Sequence, residues 1–163
     1  MKLEGTYRIS APREQVWRAL LDPEMMRRIL PGCEKLEPAG ENRYHASFRS
    51  GVGSVKGTFS GEVSMSDVDP PNAYTLRTYM KAGMGFVDGS GRVQLADGFD
   101  PAVPETVITY SGEAKVGGLL ASVAGRLIEA TAKKNMDEMF ANLARQLKVA
   151  TPPVLDALPR NSQ

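Results

Sequence analysis

The sequence predicts an α+β domain: a strongly curved antiparallel sheet of about seven strands wrapped around a long C-terminal helix, with two short helices after the first strand. Three observations predict it. Apolar and polar residues alternate with period two in segment after segment up to Val116, the pattern of strands with one buried face. The connections between these segments are short, which imposes an antiparallel meander. The last patterned segment has helical periodicity and no proline. A one-faced sheet and an apolar helix stripe must then bury each other.

Lys2 to Ser10 alternates, with Leu3, Gly5, Tyr7 and Ile9 on one side. Ser10 is the expected N-cap of a helix with Pro12 in its first turn, Glu14 as acidic charge there, and Val16, Trp17, Leu20 and Leu21 as its apolar face. Asp22-Pro23 ends this helix and opens a second, to about Ile29 or Leu30, which Pro31-Gly32 closes. Cys33 to Pro38 is a weak strand. Arg43 to Ser50 turns Tyr44, Ala46 and Phe48 inward, and Ser54 to Asp67, starting near Val52, turns in Gly57, Phe59, Gly61, Val63 and Met65. Asp69-Pro-Pro-Asn72 is a turn. Tyr74 to Lys81 places Tyr74, Leu76, Thr78 and Met80 on one face, and Phe86 to Ala96 has Val87, Gly89, Gly91, Val93 and Leu95 as its inner set. After a loop over 97–104, Thr106 to Val116 turns Ile108, Tyr110, Gly112, Ala114 and Val116 inward. Gly117-Gly118 ends the strands. Leu119 to about Leu147 reads as one helix of roughly 29 residues, on the order of 40 Å long, with Leu120, Val123, Leu127, Ile128, Met136, Met139, Phe140, Leu143 and Leu147 as its stripe. Residues 1–147 thus form one domain, and Lys148 to Gln163, with Pro152, Pro153 and Pro159, is expected to be a flexible tail.

The totals narrow the function. A chain of 163 residues with 42% hydrophobic and 24% charged residues and a net charge of +1 is an ordinary globular composition. Its lysines and arginines are spread along the chain, so no nucleic-acid partner is expected. The single cysteine, Cys33, permits no internal disulfide, which suits a reducing cytoplasm. MKLEGTYRIS has no signal-peptide core, and no apolar run reaches the length of a membrane span. The expected location is the cytoplasm, with any membrane contact peripheral, at the cytoplasmic face.

Residues 51–65, GVGSVKGTFSGEVSM, pose the central question, because several inward positions carry no side chain. Glycine in a strand interior costs about 0.5 to 1 kcal/mol relative to alanine. Inward glycines recur at Gly5, Gly57, Gly61, Gly89, Gly91 and Gly112. Two explanations stand. The glycines only permit curvature, with side chains filling the space, or they leave a cavity. In the second case the expected lining is Phe48, Phe59, Gly61, Met80, Met84, Phe86, Tyr110, Met136 and Met139, a set rich in adaptable methionine. Ile128 shares the helix stripe. Asn135 lies on it as well, either at its solvated edge or as a hydrogen-bond donor to a ligand carbonyl. Tyr110 and Thr131 are candidates for the same role.

Reactive chemistry is sparse. One His and one Cys on different elements predict no metal site. His45 falls on the outward face of its strand, and Cys33 reads as a buried structural thiol. Lys133 and Lys134 are expected to face solvent, available to an acidic partner or phospholipid head groups. GSGR at 89–92 lacks the spacing and following helix of a nucleophile elbow, and the neighbouring glycines do not precede a helix as a phosphate loop would.

The stretches APREQVWRALLDPE (11–24), LPGCEKLE (30–37), VGSVKGTFSGEVSMSDVDPPNAY (52–74) and VGGLLASVAGRLIEATAKKNMDEMFANL (116–143) carry a family resemblance. The chain resembles the CoxG-like family, named for the CoxG subunit of carbon monoxide dehydrogenase, within the START-like (SRPBCC, Bet v-like) helix-grip superfamily, over residues 1 to about 147. The resemblance implies a non-enzymatic accessory protein of a carbon monoxide dehydrogenase-type molybdenum hydroxylase, one that tethers the enzyme to the membrane or serves its assembly or electron transfer. It also implies an internal cavity for a lipid or a membrane quinone such as menaquinone, and no covalent cofactor. Family members with a membrane role often carry a longer apolar or basic tail, whereas TPPVLDALPRNSQ is short and polar. Three functions follow: a carrier of a small apolar ligand serving such an enzyme, a ligand-free adaptor or chaperone that recruits it, and a cyclase or dehydratase. The last needs an inward acid–base group, and the inward faces supply no Asp, Glu, His, Lys or Arg.

Overall fold

The computed structural model describes residues 1–52, 55–123 and 125–150. Its elements are β1 (Lys2–Ile9), α1 (Arg13–Leu20), α2 (Pro23–Ile29), β2 (Cys33–Gly40), β3 (Arg43–Val52), β4 (Val55–Asp69), β5 (Ala73–Ala82), β6 (Gly85–Asp97), β7 (Thr106–Gly117) and α3 (Gly125–Ala150). A 3₁₀ turn over Gly118–Ser122 links β7 to α3. One seven-stranded sheet has the order β1-β7-β6-β5-β4-β3-β2, antiparallel throughout. It is the meander expected from short connections, with β1 brought back to pair β7 and only β1 and β2 left as edges. The sequence places the start of a flexible tail at Lys148, but α3 continues to Ala150; the rest of that stretch, 151–163, lies outside the described residues.

Two apolar clusters fill the concave side. One joins α1, α2, β1 and β7 to the C-terminal half of α3, with Val16, Ile29, Ile108 and Leu143 sealed from solvent. The other joins β3, β4 and β5 to the start of α3 through Ala46, Phe59, Met80, Leu120 and Ile128. Polar ties hold the layers in place. Tyr7 donates to Asp137, which pins α3 to β1. The Asn142 amide donates to the Ile29 carbonyl at 2.9 Å, which pins α3 to α2. Arg13 donates to the Asn72 side-chain oxygen at 2.6 Å and pairs with Asp97 at 3.2 Å, fastening α1 to the Asp69–Asn72 turn. That turn holds the cis Pro70–Pro71 bond.

Two local expectations are corrected. Ser10 does not cap α1; Pro12 occupies the N-cap and supplies no side-chain hydrogen bond. The fully buried Thr106 hydroxyl donates to the Ala11 carbonyl at 2.7 Å, holding the chain off the helix until Arg13. Asp22 does cap α2, accepting from the Glu24 amide at 3.0 Å. The long helix does not start at Leu119. Gly118 takes φ +71° and the Leu120 amide donates to the Met84 carbonyl at 2.8 Å, so the chain turns there and sends Leu120 into the core before α3 begins. A stripe extrapolated through this break is out of phase at its start, and Leu127 is 43% exposed.

Candidate functional site

Between the concave face of the sheet and α3 lies an apolar cleft with two lobes. The α1-side lobe, about 240 Å³, is walled by Leu20, Leu21, Tyr44, Tyr74, Leu76, Val93 and Tyr110 among others. The lobe beside the 3₁₀ turn, about 290 Å³, is walled by Val52, Phe59, Met80, Val87, Val116, Leu120, Ile128, Thr131, Ala132 and Asn135. Leu30, Phe48, Met136 and Met139 belong to both walls, so two methionines and a phenylalanine stand at the junction. Interiors are packed by default, and flexible methionines at the constriction are the side chains best able to move aside for a ligand. Neither lobe has an Asp, Glu, His, Lys or Arg side chain in its wall.

Most of the expected lining residues meet here. Phe48, Phe59, Met80, Ile128, Thr131, Asn135, Met136 and Met139 wall the lobe at the 3₁₀ turn, and Tyr110 walls the other. Three do not take part. Phe86 pairs in register with the exposed Lys81 and stacks on the exposed Tyr79 at 5.8 Å, so it lies on the convex face, one residue out of step with Val87. Met84 packs against the second core cluster, outside both lobe walls, and its methyl occupies the place of a Gly57 side chain. Gly61 lies in register with Ala46 and Met80, yet a Cβ there would come within 1.9 Å of the Tyr79 carbonyl oxygen.

Gly61 therefore serves a close approach between β4 and β5 rather than an open space, and the other inward glycines behave similarly except Gly89, where a Cβ would find ordinary contacts at 3.4 Å and beyond. The Tyr110 ring fills the space above Gly5, and Gly91 and Gly112 face each other where β6 and β7 close up, with 2.9 Å left between a Gly112 Cβ and the Gly91 Cα. No glycine lines either lobe. The cleft exists, but the absent side chains are not what forms it.

Two polar groups in and beside the cleft are committed. The Thr131 hydroxyl donates to the Leu127 carbonyl at 2.9 Å, so Thr131 offers its methyl to the cavity. Tyr7 stacks on Phe140 at 4.2 Å, and burial, then its bond to Asp137, pushes its hydroxyl pKa well above the ordinary value. Asn135 is half-buried on the wall. Sequence reasoning puts Tyr74 on the inner face of β5 without assigning it to the site; the alternation that locates Met80 locates it equally. His45 is exposed. Cys33 is half-buried rather than buried; its thiol donates to the Lys35 carbonyl at 3.5 Å, and burial pushes its pKa up, opposite to the shift that makes a reactive thiolate. Among the described residues no group of three or more His, Cys, Asp or Glu side chains is placed to hold a metal, and no helix is long and apolar enough to cross a membrane.

Residues 5–148 match the model of the CoxG family, described as a subunit of carbon monoxide dehydrogenase. Among solved structures, a conserved protein from Geobacillus kaustophilus superposes with a TM-score of 0.86 at 28% identity, covering 92% of this chain and 97% of that one. A START superfamily protein from Mycobacterium smegmatis superposes with a TM-score of 0.67 at 13% identity, over 92% and 99% of the two chains. The Zhui aromatase/cyclase from a Streptomyces species gives 0.63 at 20% identity, over 91% and 93%. The last two establish the fold alone. A comparison with curated protein sequences gives no match.

Proposed function

The chain belongs to the CoxG family of carbon monoxide dehydrogenase subunits, and from that membership we propose that it is a non-enzymatic carrier serving a carbon monoxide dehydrogenase-type molybdenum hydroxylase. It holds a small apolar ligand, a lipid or a membrane quinone such as menaquinone, in the cleft, and couples the enzyme to the membrane. The observation that carries this reading is the two-lobed cleft itself, with about 240 and 290 Å³ of apolar space and no acidic or basic side chain in its walls. Such a cavity supports binding of a largely apolar molecule. General acid–base catalysis needs a proton-transferring group within hydrogen-bond reach of the substrate, which disfavours a cyclase or dehydratase. A soluble oxidoreductase must pass its electrons to a lipid-soluble acceptor, and a protein that shields such an acceptor from water presents it to the enzyme.

Leu119, 63% exposed, adjoins Leu120 of the cleft wall, and Leu127, 43% exposed, adjoins Ile128. Two exposed leucines beside that lobe support a transient contact with a bilayer at the peripheral, cytoplasmic face. The test is native mass spectrometry of the protein purified with and without incubation on quinone-containing vesicles. A bound quinone or lipid, displaced by a competing prenyl quinone, is the expected result. A protein that emerges empty in both cases, yet still associates with the enzyme, would replace the carrier with a ligand-free adaptor.

A further inference from the structure

Taking the cleft as a ligand carrier, we propose that the Tyr74 hydroxyl is its polar contact, and that the ligand end in the α1-side lobe bears a neutral carbonyl oxygen of ketone or quinone type. Tyr74 is 5% exposed and walls this lobe. Its ring meets Trp17 edge-on, with centroids 5.7 Å apart. Among the described residues its hydroxyl has no hydrogen-bond partner, and burial is the sole cause raising its pKa.

Buried tyrosine hydroxyls normally find partners, because an unpaired one forfeits its hydration with no return. Phenylalanine would pack against Trp17 without that penalty. The other hydroxyls of this wall are different: those of Tyr44 and Thr78 belong to half-buried residues, and the Tyr110 ring stacks with Tyr7, which in turn donates to Asp137. Tyr74 is thus a donor held in an apolar wall with nothing to donate to, and an incoming acceptor would complete it.

The same wall fixes the acceptor's charge. It has no Lys, Arg or His side chain to compensate a carboxylate or phosphate, and an uncompensated buried anion is far costlier than a neutral carbonyl. Fatty-acid carboxylates and phospholipid head groups are excluded from this end. The apolar remainder passes Phe48, Met136 and Met139 into the second lobe.

The test is calorimetric titration of the full chain and of Tyr74→Phe with three probes of one shape: 2-methyl-1,4-naphthoquinone, 2-methylnaphthalene and 2-naphthoate. The wild type should prefer the quinone over the hydrocarbon and reject the carboxylate. Tyr74→Phe should lose about five- to tenfold in quinone affinity, the value of one neutral hydrogen bond, and keep its hydrocarbon affinity within twofold. The ligand-free variant should melt at or above the wild-type temperature. Trp17, the single tryptophan, should be quenched by bound quinone. A quinone preference that survives Tyr74→Phe, naphthoate binding as tightly as the quinone, or a lowered melting temperature of the free variant would each overturn the assignment while leaving the carrier standing. Binding of none of the probes would overturn both.

Discussion

Ala132→Leu separates an empty lobe from a filled core. Ala132 lies on α3, half-buried in the wall of the lobe beside the 3₁₀ turn, which holds about 290 Å³. The substitution adds three carbons. At about 0.8 kcal/mol per buried methylene, full burial would stabilise the ligand-free protein by about 2.4 kcal/mol. Half-burial, and about 0.5 to 1 kcal/mol of lost rotamer freedom, leave between zero and about 1 kcal/mol. A protein of this size gains about 2 to 4 °C in melting temperature per kcal/mol, so scanning calorimetry should show a rise of zero to about 4 °C. Overpacking a filled core would instead cost about 1 to 3 kcal/mol. The added side chain also takes the space assigned to a ligand's apolar tail. A prenylated naphthoquinone should therefore lose about tenfold or more in affinity, while the unprenylated ring, seated in the other lobe, binds as before. A melting temperature lowered by more than about 4 °C would refute the empty lobe, and unchanged affinity for the prenylated ligand would refute the path of its tail.

Gly61→Ala should do the opposite of Ala132→Leu: its Cβ meets the Tyr79 carbonyl oxygen at 1.9 Å, the backbone must move, and the cost should reach or exceed about 3 kcal/mol in chemical denaturation. Asn72→Ala should cost about 2 kcal/mol, because it removes the acceptor of the 2.6 Å charged hydrogen bond from Arg13, and circular dichroism melts should show the loss with ligand affinity kept. Burial raises the pKa of Tyr74, and burial together with Asp137 raises that of Tyr7, so the folded state keeps protons that the unfolded chain releases. Stability should be level below the ordinary tyrosine value of about 10 and fall as pH rises through it. In melts across this range, Tyr74→Phe should flatten part of that fall.

Strand alternation made most of the architecture legible. It located the inward faces of β3, β5 and β7, and with them Phe48, Met80 and Tyr110 on the cleft walls. Its failures have physical causes. Grouping Phe86 with the lining by its aromatic character goes against its own strand's alternation, and register with Lys81 puts it outside. The long stripe starts too early, at Leu119, because periodicity alone does not register the 3₁₀ turn over Gly118–Ser122 that buries Leu120 and resets the helical phase. Ser10 looks like a cap because the competing constraint, the Thr106 hydroxyl on the Ala11 carbonyl, comes from a residue 95 positions away.

The glycines are the most instructive case: of the two explanations open to the sequence, close approach with the space filled is what the structure shows at most of them. A missing side chain leaves space only if nothing else enters it. Above Gly5 a tyrosine ring enters, above Gly57 a methionine methyl, and at Gly61 a neighbouring carbonyl. Each of these three glycines lets a strand or side chain approach more closely than a Cβ allows, which suits a sheet that bends around a helix. The cleft lies along the inside of that bend. There α3 meets the sheet through two separate clusters, one under its C-terminal half and one near its start. Methionines bridge the interval between them at Met136 and Met139. The glycines thus act on the cleft through strand spacing, at a distance from its walls. Substitutions at Gly61 should therefore report on folding, and substitutions at Ala132 and Tyr74 on binding.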